Sequence, residues 1–198
     1  MRSKEILLAT TNLGKLKEIR KILKLRRTNF LSYSDMPFKI KIIENGKTFQ
    51  ENSIKKAVLS AKKFNIVSIA EDSGLCVDSL DGQPGIKSAR FVRPPVTKER
   101  LCKKLLSLLK SKKNRKAKFV CSVTVAFPDG RYKNITRYCY GKISDKMFGE
   151  NGFGYDPVFI PKGYKKTFGQ MSDKKKNVLS HRGKAFRDLR KELLDLGF

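Results

Sequence analysis

Two adjacent carboxylates, Glu71 and Asp72, stand at the end of the apolar run from Ile66 to Ala70, and Ser73-Gly74 follows at once. Acids at a strand's end, beside a tight turn, suit a Mg²⁺ ion and a steered water. Adjacent side chains on extended backbone point to opposite sides, so the two need not share one role. Further acids come from the stretch ENGKTFQENSIKKA, which holds Glu44 and Glu51. These read as metal ligands or, equally, as a loop acid and a first-turn helix acid favoured by the helix dipole.

Upstream lies Ala9-Thr10-Thr11-Asn12-Leu13-Gly14-Lys15. Amide groups at a helix start attract phosphate, Thr10 and Asn12 add side-chain donors, and Lys15 adds charge. The GxxxxGK spacing of a Walker A loop is absent, and the same residues suit an ordinary capped helix. Downstream, GENGFGYDPVFIP runs from Gly149 to Pro161. Its glycines allow close backbone approach, Phe153 offers a flat face and Asp156 an acceptor, while Tyr155 and Phe159 equally suit a core. The last such segment, KKKNVLSHRG, carries the sole histidine, His181, beside Arg182. With Ser180 as N-cap, Arg182 falls in a helix's first turn, where the dipole opposes it and an anionic or carbonyl partner is expected.

Positioning these groups requires a framework, and the hydrophobic periods supply one. Glu5 to Ala9 predicts a first strand, and Lys15 to Leu25 a helix with Leu16, Ile19 and Leu23 on one face. Phe38 to Ile43 predicts a second strand. Glu51 to Asn65 predicts a helix with Ile54, Ala57, Val58 and Ala61 inward, followed by strands at Ile66–Ala70 and Leu75–Ser79. Thr97 to Leu109 predicts a third helix with Leu101, Leu105, Leu108 and Leu109 as its stripe. Lys110 to Lys118 reads as a loop and lobe boundary. Phe119–Phe127 and Arg131–Gly141 predict a hairpin about Pro128-Asp129-Gly130, and Tyr155–Ile160 a short strand. A final helix spans Arg182 to Leu196, with Phe186, Leu189, Leu193 and Leu196 inward. The class is α/β, and the hairpin calls for a mixed sheet.

The chain's 198 residues suffice for one sizeable core or two lobes around a cleft. No signal or membrane-length apolar run is present, so a cytoplasmic protein without membrane contact is expected. Four cysteines without a CxxC pair, and one histidine, argue against zinc and a disulfide scaffold. The net charge of +27 attracts polyanions. Lysines are spread along the whole chain, however, and without a basic helix or aromatic-basic module nucleic acid is not expected as the partner.

Taken in order, the segments ATTNLGK, TFQENSIKKA, EDSGLCVDSLDGQPGIKSARF, GFGYDPVF, KTFGQMS and SHRGKA resemble the Ham1/RdgB inosine triphosphate pyrophosphatase family, from Ala9 to Gly183. The resemblance implies a single ITPase-like catalytic domain over 1–198. Its fold would be a long, twisted mixed β-sheet flanked by helices, with two lobes around a central active-site cleft. It implies Mg²⁺-dependent hydrolysis of non-standard purine nucleoside triphosphates (ITP, dITP, XTP) to monophosphate and pyrophosphate by a homodimer. Thr10, Thr11, Asn12, Leu13, Gly14 and Lys15 would bind the triphosphate. Glu44 and Asp72 would serve Mg²⁺, with Asp72 also the catalytic proton acceptor and Ser73 a substrate contact. Phe153, Gly154, Tyr155 and Asp156 would contact the base, and Lys176, His181 and Arg182 would read it. Ser53 and Glu71 depart from the alanine and aspartate common at these positions. The alternatives are a Maf-like pyrophosphatase of other base specificity and a non-catalytic basic nucleic-acid-binding protein.

Overall fold

Strand β1 (Lys4–Leu8) runs into helix α1 (Leu13–Leu23), and β2 (Thr28–Ser32) returns beside it in a computed structural model that describes residues 4–26 and 28–198. Next come α2 (Phe49–Phe64), β3 (Ser68–Val77), α3 (Lys98–Leu108), β4 (Lys116–Ala126) and β5 (Tyr132–Ile143). The short β6 (Phe159–Pro161), α4 (Asp173–Leu179) and α5 (His181–Asp195) complete the chain. One sheet holds all six strands in the order β2-β1-β3-β4-β5-β6. Strand β1 is parallel to β2 and β3, whereas β5 and β6 are antiparallel, so the sheet is mixed as expected. The β4–β5 turn is closed by the Phe127 amide donating to the Arg131 carbonyl at 2.9 Å. Among the described residues, no helix is long and apolar enough to cross a membrane.

The chain divides into two compact units. The first comprises Met1–Asp72, Cys121–Arg137 and Arg182–Phe198. Its main core joins Ile6 and Leu8 of β1, Ile19 and Leu23 of α1, Val123 and Val125 of β4, and Phe186, Leu189 and Leu193 of α5. A smaller cluster of alanines at 9, 57, 61, 70 and 126 joins α2 to β3 and β4. The second unit comprises Ser73–Val120 and Tyr138–His181. Its core gathers Leu75, Val77, Leu101, Leu105, Phe119, Phe159 and Phe168. The Phe119 and Phe159 rings meet edge-on at 4.6 Å, an arrangement the ring quadrupoles favour.

Several expectations are corrected. The two strands expected around a break at Ser73-Gly74 are one strand, β3, so Glu71 and Asp72 lie within a strand rather than at a turn. Burial of Ile69, Leu75 and Val77 on either side draws the glycine into the extended run. Phe38–Ile43 is not a strand: Phe38 stacks on Phe64 at 5.0 Å, and Ile43 is 64% exposed. The second strand is Thr28–Ser32, in register with β1 from Lys4↔Thr28 to Leu8↔Ser32. Within Tyr155–Ile160, Asp156–Val158 forms a 3-10 turn around Pro157, which lacks an amide for a ladder. Helix α4 was not expected; Ser172 caps it by accepting from the Lys175 amide at 3.3 Å. On α2 the buried stripe is Asn52, Ser53, Lys56, Ala57, Ser60 and Ala61, largely polar, with Ile54 and Val58 only half-buried. Leu108 and Leu196 are exposed rather than inward.

Candidate active site

In the first unit, Leu8 stands opposite Ile69, and the Ala9 amide donates to the Ile69 carbonyl at 2.7 Å. The loop after β1 therefore begins level with Ala70, and β3 carries Glu71 and Asp72 onward beside it. The carboxyl ends of parallel strands are where open α/β sheets bind ligands. Asn12 caps α1: its Oδ1 accepts from the Lys15 amide at 3.0 Å, and its own amide donates to Thr10 Oγ1 at 3.2 Å. That cap satisfies one of the four amides a helix start leaves over, and Leu13, 79% exposed, shows that the start is open to solvent.

Strand alternation sends the two acids opposite ways. Glu71 turns toward α1 and α5. Its carboxylate accepts from Arg182 Nη2 at 2.9 Å and Nε at 3.1 Å, pairs with Lys15 Nζ at 3.1 Å, and accepts from Cys121 Sγ at 3.0 Å. Arg182 Nη1 donates to Glu18 at 2.7 Å. Burial pushes the Glu71 carboxyl up, but the Arg182 and Lys15 charges, with the hydrogen bonds, hold it well below the usual carboxylate range. Burial likewise opposes the Arg182 charge, yet Glu71 and Glu18 raise its affinity for the proton. The anion expected for a cation at this helix start is thus supplied within the protein. Three guanidinium nitrogens of Arg182, all inside the fold, donate to carboxylates, so its placement serves Glu71 and Glu18.

Asp72 turns toward α2, where Asn52 Nδ2 donates to its Oδ2 at 2.9 Å. Asn52 Oδ1 accepts from the Gly46 amide at 2.8 Å, tying the loop that carries Glu44 to the same helix. A Cβ on Gly46 would lie 2.7 Å from that oxygen, so only glycine fits. Glu44 pairs with Lys56 Nζ at 3.0 Å. Burial pushes the Asp72 carboxyl up; Lys56, Asn52 and Lys15 pull against it, Glu44 adds to it, and the net shift is upward. The two expected metal ligands therefore feel one ammonium, Lys56. Glu51 instead caps α2, accepting from the Lys47 amide at 2.8 Å, while Thr48 accepts from its amide at 3.1 Å. The serine at position 53 is part of a buried hydroxyl network with Ser122 and Thr124, at 3.1 and 3.0 Å.

In the second unit, Asp156 organises the glycine-rich segment. Its Oδ2 accepts from the Phe153 amide at 2.7 Å and from Lys176 Nζ at 2.6 Å, with both charged groups buried. A Cβ on Gly152, at φ +74°, would fall 2.0 Å from that oxygen. Lys176 also lies over the Phe153 ring at 4.8 Å, a cation–π contact. His181 stacks nearly parallel on Phe119, at 4.6 Å and 9°. The Gly154 carbonyl accepts from Cys102 Sγ at 3.4 Å, and burial pushes that thiol up to about 12. Tyr155 is in the core, its hydroxyl donating to the Ser88 carbonyl at 3.0 Å. Ser73 is half-buried on β3.

Thus Thr10–Lys15, Glu44 and Asp72 gather in one unit, and Phe153, Asp156 and Lys176 in the other. Sequence reasoning missed Asn52 and Lys56, which share a stripe of α2 by their i, i+4 spacing, a signal present in the sequence. It also missed Glu18 and Phe119, for which the sequence offered no such signal. Among the described residues, no three His, Cys, Asp or Glu side chains form a metal cage.

Comparison with known proteins agrees with this arrangement of elements. The Ham1 family model matches residues 6–192. A dITP/XTP pyrophosphatase of Bacillus anthracis is 40% identical over 194 residues, covering 96% of each chain. One from Bacillus subtilis (strain 168) is 41% identical over 192 residues, covering 96% of this chain and 97% of its own. The solved structure of the Staphylococcus aureus Ham1 protein superposes with a TM-score of 0.88 at 37% identity, covering 98% of this chain and 100% of its own. On the matched motifs, the sheet order and these likenesses, the chain belongs to the Ham1 family.

Proposed function

We propose that this protein hydrolyses non-standard purine nucleoside triphosphates, ITP, dITP and XTP, to the monophosphate and pyrophosphate. Relatives named dITP/XTP pyrophosphatase support the reaction class. The observation that carries the reading is Asp72, a buried carboxylate with a raised proton affinity beside the open start of α1. A base poised above the ordinary aspartate range accepts a proton more readily. Asp72 takes a proton from water as the water oxygen bonds to the α-phosphorus; the bond from that phosphorus to the bridging oxygen breaks, and pyrophosphate leaves. Lys15 and the α1 amides hold the phosphate charge, so the work is positioning and charge stabilisation.

Asp72 and Glu44 suit a divalent cation, Mg²⁺: both are carboxylates under the influence of the Lys56 ammonium, and Mg²⁺ sites use one or two carboxylates plus phosphate and water. Such an ion supplies charge neutralisation on the phosphates. In this reading Phe153 and Asp156 contact the base and Ser73 the substrate. Lys176 and His181 provide the donors for the six-carbonyl of hypoxanthine and xanthine. A mispaired adenine amino group there costs roughly 1–3 kcal/mol per buried donor. Arg182 is a positioning residue for Glu71 and, through it, Lys15.

A pyrophosphate-release panel of ITP, XTP, dITP, GTP and ATP, with and without Mg²⁺, tests the assignment. Turnover of the first three, lost in Asp72→Asn with the fold intact, is expected. Normal turnover by that variant, or equal use of ATP, would sink it.

A further inference from the structure

The second unit packs one side of its strands into its core, and the other side carries exposed tyrosines and lysines. Ala117 and Phe119 of β4 and Cys139 and Ile143 of β5 enter the core with Leu75 and Val77 of β3. Alternation turns Lys116, Lys118, Tyr138, Tyr140, Lys142 and Cys76 the opposite way. Tyr138 is 40% and Tyr140 56% exposed, and their ring centroids stand 6.0 Å apart at 32°. Lys118 Nζ lies 5.5 Å over the Tyr138 ring, and Lys116 and Lys142 are exposed. Burial pushes the Cys76 thiol up, with Lys118 pulling it down and Asp78 pushing it further up. Two neighbouring tyrosine faces flanked by lysines form the aromatic-basic module that the sequence reading did not find.

We propose that this face binds single-stranded nucleic acid, its bases stacking on Tyr138 and Tyr140 and its phosphates held by Lys116, Lys118 and Lys142. Stacking on aromatic side chains in a basic groove is how single strands are held without sequence preference. The chain's +27 charge adds long-range attraction for a polyanion. A second copy of the chain is the less favourable occupant, because a two-fold pairing of this face sets the same lysines against one another.

Fluorescence anisotropy with labelled oligothymidylate and oligouridylate tests the proposal at about 50 mM and about 200 mM salt. The wild-type protein is expected to bind at the lower salt and to weaken steeply at the higher. Tyr138→Ala with Tyr140→Ala should weaken binding about tenfold or more, while the corresponding pair of phenylalanine substitutions keeps it, since the rings persist. Lys118→Gln with Lys142→Gln should flatten the log–log salt slope by roughly 0.7 per lysine. Pyrophosphate release should remain unchanged in all of these variants. The proposal is overturned if the wild type fails to bind, or if the alanine pair binds as well as the wild type. It is equally overturned if duplex DNA competes as well as single strands, or if the alanine pair splits a dimer while leaving binding intact.

Discussion

Asp72 and Glu71 are neighbours with opposite electrostatics, and each makes a prediction. Burial raises the Asp72 carboxyl, so ionising it costs the folded state, and the cost is present only above the ordinary aspartate value of 3.8. Asp72→Asn is therefore expected to raise the melting temperature at pH 8, with the gain vanishing as pH falls below that value; thermal melts across pH check it. In the wild type, turnover should fall on the acid side with an apparent pKa above 3.8, read from the pH–rate profile. Glu71 is the reverse case: its folded value lies below the ordinary 4.5, so its contribution is present above 4.5 and lost as acid carries pH down toward the folded value. Arg182→Ala leaves Glu71 as a buried charge with less compensation, and breaking such a pair costs about 3–5 kcal/mol. Denaturant melts of this variant measure the loss, and a change below about 1 kcal/mol would show that Lys15 suffices.

Helices were legible where an apolar stripe faced a core, as in α1 with Ile19 and Leu23 and α5 with Phe186, Leu189 and Leu193. Helix α2 was found with Ala57 and Ala61 correctly inward, but the polar part of its buried stripe was not, because it is polar for a local reason: Asn52 and Lys56 serve Asp72 and Glu44, and Ser53 joins hydroxyls of β4. Apolar periodicity does not detect a stripe of that kind. Strand β2 was missed since its pairing with β1 is parallel and non-local, while FKIKII alternates without a partner strand to use it. The site was legible as segments, since each motif was visible, but not as contacts. At this scale Gly152→Ala is expected to displace Asp156 from the Phe153 amide and from Lys176, because its Cβ collides with the carboxylate. A raised KM for ITP together with a lowered melting temperature is the expected result, since a buried ion pair is broken at a left-handed backbone position. Asn52→Ala should lower turnover by freeing Asp72 from its donor, and an unchanged kcat would remove Asn52 from the account.

Across the whole chain, 45 basic residues face 18 acidic ones, and like charges work against compaction. Raising ionic strength from about 0.01 M to about 0.15 M shortens the screening length from about 30 Å to about 8 Å. The melting temperature is expected to rise over that range; a fall would mean that surface ion pairs outweigh the repulsion. Composition and pattern made the α/β class and mixed sheet readable, but the interleaving of the two units was not, because each is assembled from separated stretches of chain. That interleaving bears on synthesis. Every residue of the second unit has left the ribosome once His181 has, whereas the first unit still lacks Phe186, Leu189 and Leu193 for its core and Arg182 for Glu71. On a nascent chain Lys15 and Glu71 therefore emerge together, and Glu71 gains the Arg182 guanidinium, its second cation, only after every residue of the second unit has been made.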